Sequence, residues 1–154
     1  MGRRHYEQFA SPELAIYEDI VETLKTNEDL NRISWYFYDY DNDDDIEDEV
    51  PPDGKIPAIR IAASSQDRTD YSSELDETTL GLDVECWIDG NHVGDAWGIR
   101  NTIYRALKLH RVRDVFSTPW VVGITPGEIE HIARGLMKSV QTVQINYFME
   151  HPRR

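Results

Sequence analysis

The chain has 154 residues, with 29 Asp and Glu against 16 Lys and Arg, for a formal charge of −13. That length fits one domain, and a 40% hydrophobic, 10% aromatic composition supplies a packed core, which excludes wholesale disorder. Nine acids and no base lie between Asp39 and Asp53, leaving −4 for the other 139 residues, so the acidity belongs to one segment.

In chain order, the first element is a helix. Ser11 is placed to cap it and Pro12 to occupy the first turn, where a missing N–H costs nothing. Leu14, Tyr17, Ile20, Val21 and Leu24 recur at spacings of three and four and predict one apolar face. Glu13, Glu18, Asp19 and Glu22 fall elsewhere, mostly near the positive end of the helix dipole. A strand follows over Ile33 to Tyr40, where Trp35, Tyr36, Phe37 and Tyr38 stand in succession. Residues 41–54 run from the acidic cluster into Val50-Pro51-Pro52-Asp53-Gly54, a strong breaker, and read as a long excursion.

Ile56 to Ala63 reads as a second strand, with Pro57 near its start or at an edge. Residues 64–78 are mostly polar and predict a second long connection. The third strand is the clearest: Leu80, Leu82, Val84, Cys86 and Ile88 alternate with Gly81, Asp83, Glu85, Trp87 and Asp89. A second helix is predicted from Asp95 to about His110, burying Trp97 or Ala96 with Ile99, Ile103, Ala106, Leu107 and His110. Arg100, Arg105, Lys108 and Arg111 mark its outer and C-terminal parts. A fourth strand is expected over Trp120 to Ile124. Thr125-Pro126-Gly127-Glu128 then has the form of a capping box, predicting a short helix from Glu128 to Arg134. The last strand runs from Val140 to Met149. With no internal repeat and no boundary, the expectation is one α+β domain over 1–154. It has a small, mostly antiparallel sheet, an N-terminal and a central helix on one face, and long hairpin-type loops.

No nucleotide-binding glycine loop, metalloprotease motif or nucleophile elbow is present. Cys86 falls on the apolar phase of its strand and reads as a buried structural thiol; as the single cysteine it also excludes an intramolecular disulfide framework. His5, His92, His110, His131 and His151 form no spaced pair on one face, so neither a metal, a cofactor nor a catalytic role is expected. The acidic segment fails as a calcium loop. With Asp39 first, the glycine position is Asp44 and the closing-Glu position is Val50; with Asp41 first, those positions are Ile46 and Pro52. The absence of a broad basic groove argues against sequence-reading DNA binding. No apolar run approaches about 18 residues and the basic N-terminus leads into no apolar stretch, so neither a membrane span nor a secretory leader is expected.

Two features stand out against this bland background. Tyr36, Tyr38 and Tyr40 share one phase of their strand, and Trp87 sits on the polar phase of its own. These four are candidates for a subunit interface, where aromatics are enriched, or for ordinary burial under another layer. The carboxylates Asp41, Asp43, Asp44, Asp45, Glu47, Asp48 and Glu49 form either a solvated, self-repelling loop, a casual cation site or a surface that repels phosphate.

The run Ile56-Pro57-Ala58-Ile59-Arg60-Ile61, the polar stretch after it, Leu80-Gly81-Leu82-Asp83-Val84-Glu85-Cys86-Trp87-Ile88 and the helix carrying Ile99, Ile103 and Leu107 together resemble the tail terminator (tail completion) proteins of long-tailed bacteriophages. The resemblance covers roughly residues 10–150 and rests on apolar patterns; the acidic insertion and the stretch 111–135 have no counterpart in it. It implies a non-enzymatic virion protein, made in the host cytoplasm, that forms a homo-oligomeric ring, usually a hexamer. Such a ring caps the major tail tube protein and offers a surface to the head-closure or connector protein, while DNA passes through without specific binding. A head-closure or neck protein of the same connector is the neighbouring alternative. An acidic DNA-mimic inhibitor is a more distant one, since mimicry needs carboxylates spread along a surface rather than gathered in one loop.

Overall fold

The computed structural model describes residues 11–32, 36–38, 56–90, 93–133 and 135–151. Helix α1 spans Pro12–Lys25, and its cap is as expected: Ser11 Oγ accepts the Leu14 N–H at 3.1 Å. Its buried stripe is Ile16, Ile20 and Leu24, with Tyr17 and Val21 half-buried beside them, a face centred slightly away from Leu14. A single 3-10 turn, Leu30–Arg32, buries Leu30.

The sheet contains β1 (Tyr36–Tyr38), β2 (Ala58–Asp70), β3 (Leu75–Asp89), β4 (Trp120–Ala133) and β5 (Leu136–Glu150), in the spatial order β1-β2-β3-β5-β4. Every pairing is antiparallel except β1 with β2, which is parallel and only three residues long. Helix α2, Val93–Leu107, connects β3 to β4. The architecture is therefore the α+β class expected, with both helices packed on one face of the sheet.

Between helices and sheet, Ile16, Ile20 and Leu24 of α1 and Ala96, Ile99, Ile103 and Leu107 of α2 meet Ile59, Ile61, Leu82, Val84, Cys86, Met137, Val143 and Ile145. The register explains the selection. Ile61 pairs with Val84, Leu82 with Val143, and Leu80 with Ile145, so the apolar phases of three adjacent strands face the same side. Trp97 lies outside the α2 stripe at 63% exposure, and Ala96 takes the buried position. His110 lies beyond the helix, after Leu109 at φ 59°, and joins the two helical segments: its Nε2 is 2.5 Å from Asp19 Oδ1 and 3.3 Å from Thr23 Oγ1.

Two predicted loop or helix regions are strand instead. Residues 64–70 and 75–78, expected in a long connection, extend β2 and β3 into a hairpin about 45 Å long at ~3.3 Å per residue. The turn is tight: the Tyr71 and Ser72 N–H groups both donate to Leu75 O at 3.0 Å, and Ser72 Oγ accepts from Glu74 N and Leu75 N. A bulge at Ser64 shifts the register by one residue, and a Cβ at Gly81, opposite Ser65, would collide with the Ser64 and Ser65 hydroxyls.

The expected helix over Glu128 to Arg134 is likewise replaced by the continuation of β4. Pro126 sits at a register shift on an edge strand, where a missing N–H is tolerated. Ile129 packs on the core, and Arg100 from α2 holds the irregular backbone. Its Nε donates to Ser139 Oγ at 2.7 Å and its guanidinium to the carbonyls of Gly127, Glu128 and Val140 at 2.6, 2.8 and 3.1 Å. A capping-box pattern followed by these ties reads as a bulged strand because the carbonyls have acceptors' work elsewhere than in a helix.

Candidate functional site

On the sheet face opposite the helices, the register sets Ala58 against Trp87, Arg60 against Glu85 and Trp87 against Lys138. The residues form a charged cluster around an indole. Arg60 Nε donates to Glu85 Oε2 at 2.6 Å, and Lys138 Nζ is 3.6 Å from Glu85 Oε1. The Arg60 guanidinium and the Lys138 ammonium lie 5.0 and 5.3 Å from the Trp87 ring centroid, both within cation–π range. Arg60 is 2% exposed and Trp87 1%, so this part of the second face is as dry as the helix side. Trp87 thus occupies the predicted phase but is covered within the chain, and a charge set this deep holds position through pairing.

Of the other sequence-derived candidates, Tyr36 and Tyr38 stand in register with Ala58 and Arg60 on β1. Tyr40 and the acidic residues Asp41, Asp43, Asp44, Asp45, Glu47, Asp48 and Glu49 lie outside the described residues. Cys86 is buried as expected, and burial pushes its thiol up to about 12, with the Glu85 carboxylate adding to the rise and Arg100 opposing it. At physiological pH it is a neutral thiol with no nucleophilic character.

Two further features were not read from the sequence. A cavity of about 520 Å3 opens between the 3-10 turn, the start of β2 and the N-terminal half of α2; Leu30, Ile56, Ile88 and Ile99 form its apolar wall, and Asp95 and Arg105 are among its polar groups. Gly94 and Gly98, which also line it, would each have open space at a Cβ, so the helix surface there is shallow. Among the described residues no histidine or cysteine lines this cavity.

The second feature is at the hairpin tip. Asp70 and Asp76 are direct cross-strand partners, and His151, just past β5, reaches them. His151 Nε2 lies 2.7 Å from Asp76 Oδ1, its Nδ1 lies 2.9 Å from Ser73 O, and its backbone N–H donates to Glu74 O at 2.9 Å. The hydrogen bond to Asp76 raises the His151 pKa and, from the other side, holds the Asp76 carboxyl below the usual range; Asp70 and Arg68 of β2 act on the same pair. One ligand atom from each of Asp70, Asp76 and His151 lies within 4.8 Å of the others. The sequence gives no sign of this cluster, because 64–78 carries no strand pattern and so no register that would bring the three together.

No described helix is long and apolar enough to cross a membrane. No family model matches the chain, and no curated protein matches it.

Proposed function

We propose that the chain is a structural subunit of a phage tail, a terminator that assembles as a ring, six-membered by the resemblance, on the head-proximal end of the tail tube. The observation that carries this reading is the β2–β3 hairpin: its β2 arm is exposed from Ala63 to Asp70. A strand of that length with a solvent-facing outer edge is suited to pairing with a neighbouring chain. Exposed apolar side chains support it as well: Tyr71 at the hairpin turn, Trp97 on α2, and Leu109 and Phe116 after it are each more than half exposed. A closing ring needs two different contact faces on each subunit. The proposed faces draw on the hairpin, these side chains and the tyrosines Tyr36, Tyr38 and Tyr40. Trp87, covered within the chain, is left to the fold.

In this reading the segment 41–53 borders the lumen, where carboxylates repel phosphate and let DNA pass without counterion-release binding. No catalysis is involved. The test is negative-stain imaging of particles assembled without the protein. Overlong or unjoined tails are expected. Leaky heads with free tails of normal length would instead place the chain at head closure, and intact particles would overturn the structural role altogether.

A further inference from the structure

We propose that Asp70, Asp76 and His151 form a binding site for a divalent cation of the zinc type, clasping the hairpin turn to the end of β5. The three side chains come from β2, β3 and the residue after β5, and the backbone between them is already tied. Asp70 pairs with Asp76, Asp76 pairs with Met149, and the His151 N–H donates to Glu74 O in the turn. A cation held at about 2.0–2.2 Å from each ligand keeps ligand atoms within roughly 4.4 Å of one another. The present spread of up to 4.8 Å closes with a small rotation of Asp70, whose side chain is exposed.

The imidazole carries the second observation. Nδ1 faces a carbonyl, Ser73 O, which can only accept, so Nδ1 holds a proton; Nε2 donates to the Asp76 carboxylate in the metal-free chain and releases that proton to solvent when a cation takes its place. Metal-binding histidines are oriented in this way, by a second hydrogen bond from the nitrogen that does not ligate. Ser73 lies outside the ligand set and is fixed by the turn. Among the described residues, the neighbouring cation Arg68 is directed at Met149 Sδ and Thr78 Oγ1 rather than at the centre. Two carboxylates and one imidazole offset the charge of a divalent ion and leave a position for water. The nitrogen ligand favours zinc, cobalt or nickel over magnesium and calcium, which prefer oxygen alone.

The experiment is a zinc titration of the full chain, followed by calorimetry and by the ring-nitrogen NMR signals of 15N-labelled histidine, in about 100-fold excess magnesium to occupy the acidic segment. One zinc per chain is expected, with the His151 Nε2 signal moving and Nδ1 remaining protonated. His151→Gln, Asp76→Asn and Asp70→Asn should each weaken binding at least about tenfold. Asp67→Asn, on the other face of β2, should leave it unchanged. Asp70→Asn alters only an exposed side chain and keeps the test valid if the other two variants disturb the tip. An unmoved His151 signal, or wild-type affinity in Asp70→Asn, overturns the proposal.

Discussion

The two halves of β2 have the same backbone partner and opposite surroundings. From Ala58 to Ile61 all four residues are buried, whereas from Ala63 to Asp70 all eight are exposed, although both halves pair with β3 without a break beyond one bulge. The first half is covered on the helix side by the core and on the other side by the Arg60, Glu85, Lys138 and Trp87 cluster. The second half is a strand because β3, already held by β5, presents a ladder to it. Burial and strand formation are thus separate matters here: covering decides where substitution is costly, and pairing decides where the backbone is extended.

The largest effect expected from this contrast is at Arg60. Arg60→Ala leaves the Glu85 carboxylate buried with only the longer contact to Lys138, and should cost about 3–5 kcal/mol in urea unfolding. Ile59→Ala, in the covered half of β2 and fully buried, should cost about 2–5 kcal/mol. Ser11→Ala removes the α1 cap over the covered half and should cost about 1 kcal/mol. Asp67→Ala or Thr69→Ala, in the exposed half, should stay within about 0.5 kcal/mol. A loss at Asp67 or Thr69 equal to that at Ile59 would break the comparison and show the distal arm to be covered.

Alkaline pH sharpens the same contrast. Burial raises the Tyr147 hydroxyl to about 12, and Cys86 likewise reaches about 12. For both groups the folded chain retains a proton that the unfolded chain has lost, so stability falls as pH rises from the unfolded pKa values, near 9 for the thiol and 10 for the phenol, toward 12. Tyr147→Phe should flatten the upper part of that fall in unfolding midpoints measured against pH. Thiol reagents at pH 8 should label Cys86 only at the rate of unfolding.

Much of the covered half was legible in the sequence. Ser11 and Pro12 announced α1, the alternation from Leu80 to Ile88 announced β3, and Ile99, Ile103 and Leu107 announced the inner face of α2. Each rests on a local period or a local hydrogen bond, which a linear reading captures. The distal arm was illegible because residues 64–78 carry no apolar period, and backbone pairing is indifferent to side-chain polarity. The extension of β4 through Glu128 was masked by a capping-box pattern that Arg100, far away in sequence, overrides.

The candidate sites divide in the same way. By itself the sequence determined the α+β class, the inert buried cysteine and the concentration of negative charge in one segment, since these depend on composition and short-range pattern. Only the tertiary structure decided that Trp87 lies beneath two cationic side chains and that His151 meets Asp70 and Asp76 at the hairpin tip. Both follow from strand register, which is set by the sum of core contacts across β2, β3 and β5 and is written in no single stretch of the chain.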